Sequence, residues 1–298
     1  MPLTDPAAPL ADALVSGRVL SRLGTSTSRP TLAYAGEVLG IDPELVRAAT
    51  TVYACAEADF TVFSGKLACG KDTLAEMLAA QSAAVGRPAE TQRTSDPIRE
   101  ELDQAIALVE EGWGAGDDLV ATAGRLRDEM GLAPEPATHI AESLLEPIRE
   151  GEHPRAADRT HLNRHLLVYL ADEGRRVVDP AYWTRRFFDR ALRTVAEGRS
   201  VFLTGARYPN EIGPAQAFGA CVVRLAVSRE TQIARLFARD GLEPRPEALD
   251  NVNECALDDY VGFNLVVTND GEPQPTVEVV RRFLDAHRLN LARSLFLP

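Results

Sequence analysis

Phe60-Thr-Val-Phe-Ser-Gly65-Lys-Leu-Ala-Cys-Gly70-Lys71-Asp72-Thr73, followed by Leu74, Met77 and Leu78, reads as a strand, a glycine-rich loop and the first turns of an amphipathic helix. Glycines at 65 and 70 let successive backbone amides turn toward one point, where the helix amino terminus adds partial positive charge. The spacing of glycine, four residues, glycine and lysine is that of a phosphate-binding loop, in which Lys71 bridges the β- and γ-phosphates of a nucleotide. Asp72 stands where Ser or Thr is usual, and Thr73 comes one place late. Two readings follow: Asp72 holds Mg2+ through its water shell while the Thr73 hydroxyl meets a phosphate, or the segment is a decorated turn. Cys69, inside the loop, reads as a small residue there rather than a redox group.

The charge inventory singles out the same segment. Of 32 basic residues in 298, 30 are Arg and two are Lys, and those two are Lys66 and Lys71. A guanidinium is a wide planar fork, whereas an ammonium is a compact point charge that fits inside a ring of backbone amides. In a chain that uses Arg wherever a cation serves, the two lysines mark residues 60–78 as the place where compactness matters.

Outward from this loop, β-rich runs at Phe60–Ser64, Val201–Thr204, Cys221–Ala226 and Phe263–Thr268 alternate with amphipathic helical patterns. Such alternation predicts an α/β fold with a mostly parallel sheet flanked by helices. The expected organisation is a domain over residues 59–290, carrying a helical insertion at 103–160 and a lid-like region at 235–260. Loop signals fall at Gly112–Gly116 and Ala133–Ala137 within the insertion. Residues 1–58, rich in Ala and Leu, read as an N-terminal helical extension with a connector at Gly24–Pro30. Leu32–Arg47 has the outline of a helix-turn-helix, but Glu44 and the scarcity of cations favour a packed helical hairpin.

The formal net charge of −12 disfavours attraction to nucleic acid or to an anionic membrane. No apolar run is long enough to span a bilayer, and the amino terminus lacks a signal-peptide pattern. The four cysteines show no CxxC spacing, which predicts reduced thiols and a cytoplasmic location. His161 and His165 share a helix face at metal-ligand spacing but lack a third ligand nearby in sequence, so a metal site is not expected there.

Several further segments line up with the loop. Gly65–Thr73 with Gly-Lys-Asp-Thr, Ser95-Asp-Pro-Ile-Arg99, Arg164–Arg176, Asp179-Pro-Ala-Tyr-Trp183, Val201–Glu211, Glu254–Tyr260 and Asn269–Gly271 together resemble P-loop deoxynucleoside monophosphate kinases of bacteriophage type, over most of Phe60–Leu284. Phe63–Lys66 with Gly70–Asp72, Asp179-Pro180 and Glu254-Cys-Ala-Leu-Asp258 are similar also to animal-type phosphomevalonate kinases. Arg207-Tyr-Pro-Asn-Glu211 tips the reading toward nucleotides.

The resemblance implies a kinase that uses ATP with Mg2+ and takes a small phosphorylated acceptor, most simply a nucleoside monophosphate. It implies ATP binding by Gly65, Lys66, Cys69, Gly70, Lys71, Asp72 and Thr73, with Asp72 reaching the metal through water. Acceptor binding falls to Asp96, Arg99, Arg175, Arg176, Trp183, Arg207 and Glu211, and catalysis to Lys71, Arg207 and the lid arginines Arg235 and Arg239. No membrane partner is implied, and there is room for a homodimer. Other acceptors stay open, namely phosphomevalonate, a modified nucleotide or a hydroxymethyl base in DNA, as does a nucleotide-sensing protein without turnover. Two departures bear on this: Gly205 stands where the family has an acidic residue ending the strand, and Val168 where it has Gln. Asp96-Pro97 and Asp179-Pro180 read equally well as helix starts.

Overall fold

The computed structural model describes residues 39–296 except 55–57, 159, 243, 245 and 251. Most of the N-terminal extension, including the first half of the Leu32–Arg47 outline, lies outside the described residues. In chain order the elements are α1 (Pro43–Ala54), β1 (Phe60–Gly65), α2 (Lys71–Ala84), β2 (Ala89–Arg93), α3 (Asp96–Ala115), α4 (Leu119–Met130), α5 (Pro134–Arg149) and α6 (His161–Ala171). There follow α7 (Tyr182–Ala196), β3 (Ser200–Ala206), α8 (Pro209–Ala217), β4 (Cys221–Ala226), α9 (Arg229–Asp240), β5 (Leu265–Thr268) and α10 (Pro273–Phe296). The chain forms two compact units, one made of residues up to Thr94 and from Phe188 onward, the other of Ser95–Phe187.

The first unit is the expected α/β fold. Its five strands run in the order β2-β3-β1-β4-β5, and every pairing is parallel. All six residues of β1 are buried, as a central strand covered on both faces requires. Leu74, Ala75 and Leu78 of α2 and Val277, Val280 and Leu284 of α10 close over Phe63, Phe202, Val223 and Leu225. From β1 the chain crosses to β2 at the sheet edge and returns inward to β3 beside β1, and after β3 it crosses to the other side of β1 to form β4 and then β5. That reversal places the loop after β1 at the topological switch point, where the carboxyl ends of parallel strands open to a ligand.

Two strand expectations need correction. β2, Ala-Glu-Thr-Gln-Arg, was not anticipated because it has no apolar run; only Gln92 of its residues is buried. It is held at the sheet edge by its ladder to β3, from Ala89↔Ser200 to Arg93↔Thr204, and by Gln92 Nε2 donating to Thr194 Oγ1 at 3.0 Å. β5 begins at Leu265 rather than Phe263 because the Asn264 side chain replaces part of the ladder: its Oδ1 accepts from the Val222 amide at 2.8 Å.

The second unit is helical, with α3, α4, α5 and α6 enclosing Leu102, Ile106, Leu126, Ile140, Leu144 and Leu166. The loop expected at Ala133–Ala137 is instead the start of α5, with Pro134 and Pro136 in a first turn where a missing N–H costs nothing. Among the described residues no helix is long and apolar enough to cross a membrane.

Candidate functional site: a braced glycine-rich loop and a buried lysine

The turn from β1 to α2 is built by close approach. A Cβ at Gly65 would lie 2.5 Å from Cys69 Sγ and 2.8 Å from the Leu225 carbonyl oxygen. Gly70, with φ +88°, would put a Cβ 2.5 Å from Asn269 Nδ2. Between them Ala68 adopts φ +59°, a left-handed conformation that a non-glycine residue holds only when its surroundings impose it. Those surroundings are specific. Asn269 Nδ2 donates to the Cys69 carbonyl at 2.8 Å and is oriented by Thr276 Oγ1, which donates to Asn269 Oδ1 at 3.0 Å. Gln232 Nε2 donates to the Leu67 carbonyl at 2.9 Å. Arg235, expected over a transferred phosphate, donates instead to the carbonyls of Ala68 and Cys69 at 3.4 Å and of Gly271 at 3.1 Å. With the carbonyls held from outside, the loop shape is set by the fold rather than by a ligand. Cys69 is buried beneath the loop, and burial pushes its thiol above the ordinary cysteine range, which fits a packing role.

Lys71 opens α2 and is 8% exposed. Among the described residues its ammonium makes no hydrogen bond or ion pair. A buried cation without a counter-charge is costly, and here it stands where the first amides of α2 also lack intrahelical partners. Lys66, by contrast, pairs with Asp258 at 2.7 Å. Glu254, itself buried, accepts from the Leu67 amide at 2.6 Å and pairs with Arg207.

Asp72 and Thr73 part company. Thr73 is exposed on the first turn of α2, while Asp72 Oδ1 accepts from the Thr204 hydroxyl at the end of β3, at 2.6 Å. Arg93 Nε lies 4.0 Å from the same oxygen. The acidic residue absent from Gly205 is physically excluded there. The β1–β3 register shifts between Phe63 and Ser64, Gly205 adopts φ +96°, and a Cβ would sit 2.7 Å from Thr94 Oγ1. The carboxylate at this end of β3 is that of Asp72 on α2, paired with the Thr204 hydroxyl. Gly205→Asp is expected to destabilise the protein by about 1–3 kcal/mol; a variant as stable as the parent by urea unfolding would refute this account.

Arg207 follows β3 directly. The Glu211 carboxylate accepts from the backbone amides of Arg207 at 2.7 Å and Tyr208 at 3.2 Å, so Glu211 fixes the turn that presents Arg207. Arg239 is exposed and pairs with its neighbour Asp240 at 2.7 Å. The structure thus brings Gly65, Lys66, Cys69, Gly70, Lys71, Asp72, Arg207, Glu211 and Arg235 into contact networks of the first unit.

The remaining expected site residues belong to the second unit. Asp96 starts α3 with Pro97 in its first turn. Arg99 donates to the Ala156 carbonyl at 2.6 Å, and Arg176 pairs with Asp172 at 2.6 Å. Arg175 is buried against Glu101, and Trp183, 1% exposed, donates through Nε1 to the Ala171 carbonyl at 3.0 Å. Each of these contacts is one that a folded helical unit needs for itself. His165 meets not His161 but His139, Nε2 to Nε2 at 3.1 Å. The nearby cavity of about 490 Å³ is lined by Glu135 and Glu142, which disfavours a phosphate. Among the described residues no cluster of three His, Cys, Asp or Glu side chains forms a metal site.

Thr204 and Asn269 lie in segments that carry the resemblance but have no role assigned there, and Gln232 falls in no such segment; all three hold the loop or its first helical turn. No protein-family model matches the chain, and no curated protein matches it.

Proposed function

We propose that this chain is an ATP-dependent phosphotransferase, a P-loop kinase that moves the γ-phosphate of ATP to a small phosphorylated acceptor, most simply a nucleoside monophosphate. One observation carries the reading: Lys71, a buried ammonium with no counter-charge among the described residues, follows a braced Gly65–Gly70 loop at the switch point of a parallel sheet. A polyphosphate supplies the missing charge and accepts from the loop and α2 amides. Phosphoryl transfer asks little covalent help from protein, so positioning and charge neutralisation are the tasks. Lys71 holds the β- and γ-phosphate oxygens. Arg207, at the carboxyl end of β3, is placed to meet the acceptor phosphate, whose oxygens are already ionised and need no general base.

Asp72 fits Mg2+, since a carboxylate with one oxygen oriented by the Thr204 hydroxyl is a hard oxygen donor able to hold a hydrated ion. Bound with ATP, Mg2+ would offset phosphate charge, with Asp72 holding it through its water shell. Thr204 fixes the direction of the Asp72 carboxylate. Asp72→Asn is expected to lower turnover about 10- to 100-fold and to raise the Mg2+ concentration at half-maximal rate; an unchanged Mg2+ dependence would remove Asp72 from this role.

The acceptor rests on the resemblance of Arg207-Tyr-Pro-Asn-Glu211 to the nucleotide kinases. ADP release from Mg2+-ATP, measured against ribo- and deoxynucleoside monophosphates and phosphomevalonate, tests it. Turnover confined to one nucleotide supports the proposal, and turnover with phosphomevalonate alone replaces the acceptor. A silent panel with tight ATP binding points to the nucleotide-sensing reading, and no ATP binding at all rejects the loop assignment.

A further inference from the structure

We propose that Glu254 is an internal anion of the phosphate loop: it occupies the Leu67 amide and the Arg207 guanidinium while no ligand is bound, and yields the amide to the phosphoryl oxygens of an incoming polyphosphate and the guanidinium to the acceptor phosphate. The proposal rests on the reading of Gly65–Lys71 as a phosphate-binding loop and goes beyond it by naming a residue that sets which anions enter.

The geometry is that of a phosphate stand-in. One oxygen of Glu254 accepts from the Leu67 backbone N–H at 2.6 Å, and the other pairs with Arg207 Nη1. Glu254 is only 5% exposed. Close by in sequence, Asp258 occupies the other loop lysine, with Lys66 Nζ at 2.7 Å, and Arg224 Nη2 at 3.2 Å. Backbone amides and guanidinium groups are what a phosphoryl oxygen recruits. The chain satisfies the Leu67 amide, Arg207 and Lys66 with its own carboxylates, whereas among the described residues the Lys71 ammonium has none.

A bracing role for Glu254 is the competing account, and the loop's other contacts separate the two. Asn269, Gln232 and Arg235 hold the carbonyls of Leu67, Ala68 and Cys69. Loop shape is therefore secured without Glu254, whose bond goes to an N–H rather than to a carbonyl. Glu254 lies on the single helical turn Val252–Cys255, an element short enough to shift at little cost in backbone hydrogen bonds. An internal anion of this kind discriminates by charge. A triphosphate, touching Lys71 as well, displaces it, whereas a single phosphate competes with it on nearly equal terms.

Isothermal titration of the full chain with inorganic tripolyphosphate, Mg2+-ATP and inorganic phosphate tests this, comparing the parent with Glu254→Gln, Glu254→Asp and Lys71→Ala. Glu254→Gln keeps the shape and removes the charge, so it is expected to tighten tripolyphosphate and ATP at least about tenfold and to make inorganic phosphate binding measurable. Glu254→Asp retains the charge with a shorter reach and is expected to tighten binding by a smaller factor; it decides the matter if the Gln variant fails to fold by circular dichroism. Parent binding that depends on Lys71, with the folded Glu254 variants equal to or weaker than the parent, overturns the internal-anion proposal and leaves the kinase reading standing. Absence of polyphosphate binding in the parent and in both Glu254 variants overturns the loop assignment and this proposal together. Binding that appears only once the charge at 254 is removed supports the proposal in its strongest form.

Discussion

Replacing Lys71 by alanine is expected to abolish ATP binding and turnover while leaving the protein at least as stable as the parent, to within about 1 kcal/mol. The two halves of this expectation come from one observation. A structural lysine is paired or solvated, and removing it costs packing and an ion pair. Lys71 is 8% exposed and its ammonium has no partner among the described residues, so its removal breaks no ion pair there, and a buried cation so placed adds little to the stability of the fold. Alanine removes the buried charge and forfeits some contacts of the aliphatic stem, two terms of opposite sign. Toward a polyphosphate the balance reverses. The ammonium is then the counter-charge in a water-poor site, where one preorganised donor is worth about 10²–10³ in rate. Lys71→Arg is expected to fail as well, because a planar fork does not fit where a compact ammonium stands among backbone amides. Isothermal titration with Mg2+-ATP, ADP release and urea unfolding check the three statements. Parent-like ATP affinity in Lys71→Ala would remove the central claim, and a loss of several kcal/mol in stability would recast Lys71 as structural.

What the sequence discloses of this site follows from how far apart the interacting groups lie. The loop is legible because all of its signals are local: a buried strand, two glycines, a lysine and a helix in immediate succession, in a chain whose other cations are Arg. The parallel sheet is legible for the same reason, since β1, β3 and β4 are short apolar runs. β2 is not, because a polar edge strand is defined by the backbone ladder it joins and by one buried Gln rather than by its own pattern. The groups that shape and fill the loop are more distant still. Glu254 meets Leu67 across 187 residues, Asn269 meets Cys69 across 200, and Thr204 meets Asp72 across 132. No periodicity encodes such pairings. Gly205 shows a subtler limit. Read along the chain it is a lost carboxylate, whereas in space it is a left-handed residue where a Cβ would meet Thr94, and the neighbouring Thr204 hydroxyl donates to the Asp72 carboxylate.

Glu101→Ala is expected to destabilise the helical unit by about 3–5 kcal/mol, the cost of leaving a buried charge unpaired. Glu101 has a side chain 3% exposed and receives Arg175, Arg186 at 3.1 Å and the Tyr182 hydroxyl at 2.9 Å. Arg175 continues to the carbonyls of Met130 at 2.7 Å and Gly131 at 3.1 Å, and its guanidinium lies 4.9 Å from the centre of the Tyr182 ring. Burial and the neighbouring Glu101 charge push the Tyr182 hydroxyl above its ordinary range, so it stays a donor to that carboxylate at neutral pH. Removing Glu101 leaves this cation without a counter-charge, against the carbonyls at the end of α4 and the Tyr182 ring. Glu101→Gln, which keeps the shape, is expected to recover only part of the loss. The double variant Glu101→Leu with Arg175→Met removes both charges and is expected to lie closer to the parent than Glu101→Ala does. Urea unfolding of the single and double variants yields the coupling between them. A cluster of arginines beside a tryptophan reads in sequence as a place for an anionic acceptor. In the fold, Arg176 and Arg185 take Asp172 and Asp179, and Arg175 and Arg186 share Glu101. If Arg175→Met left stability untouched and weakened a phosphorylated acceptor instead, the acceptor reading would be the correct one; a stability loss that the second substitution at Glu101 relieves would place Arg175 in the framework of the helical unit, with the acceptor's charge left to Arg207.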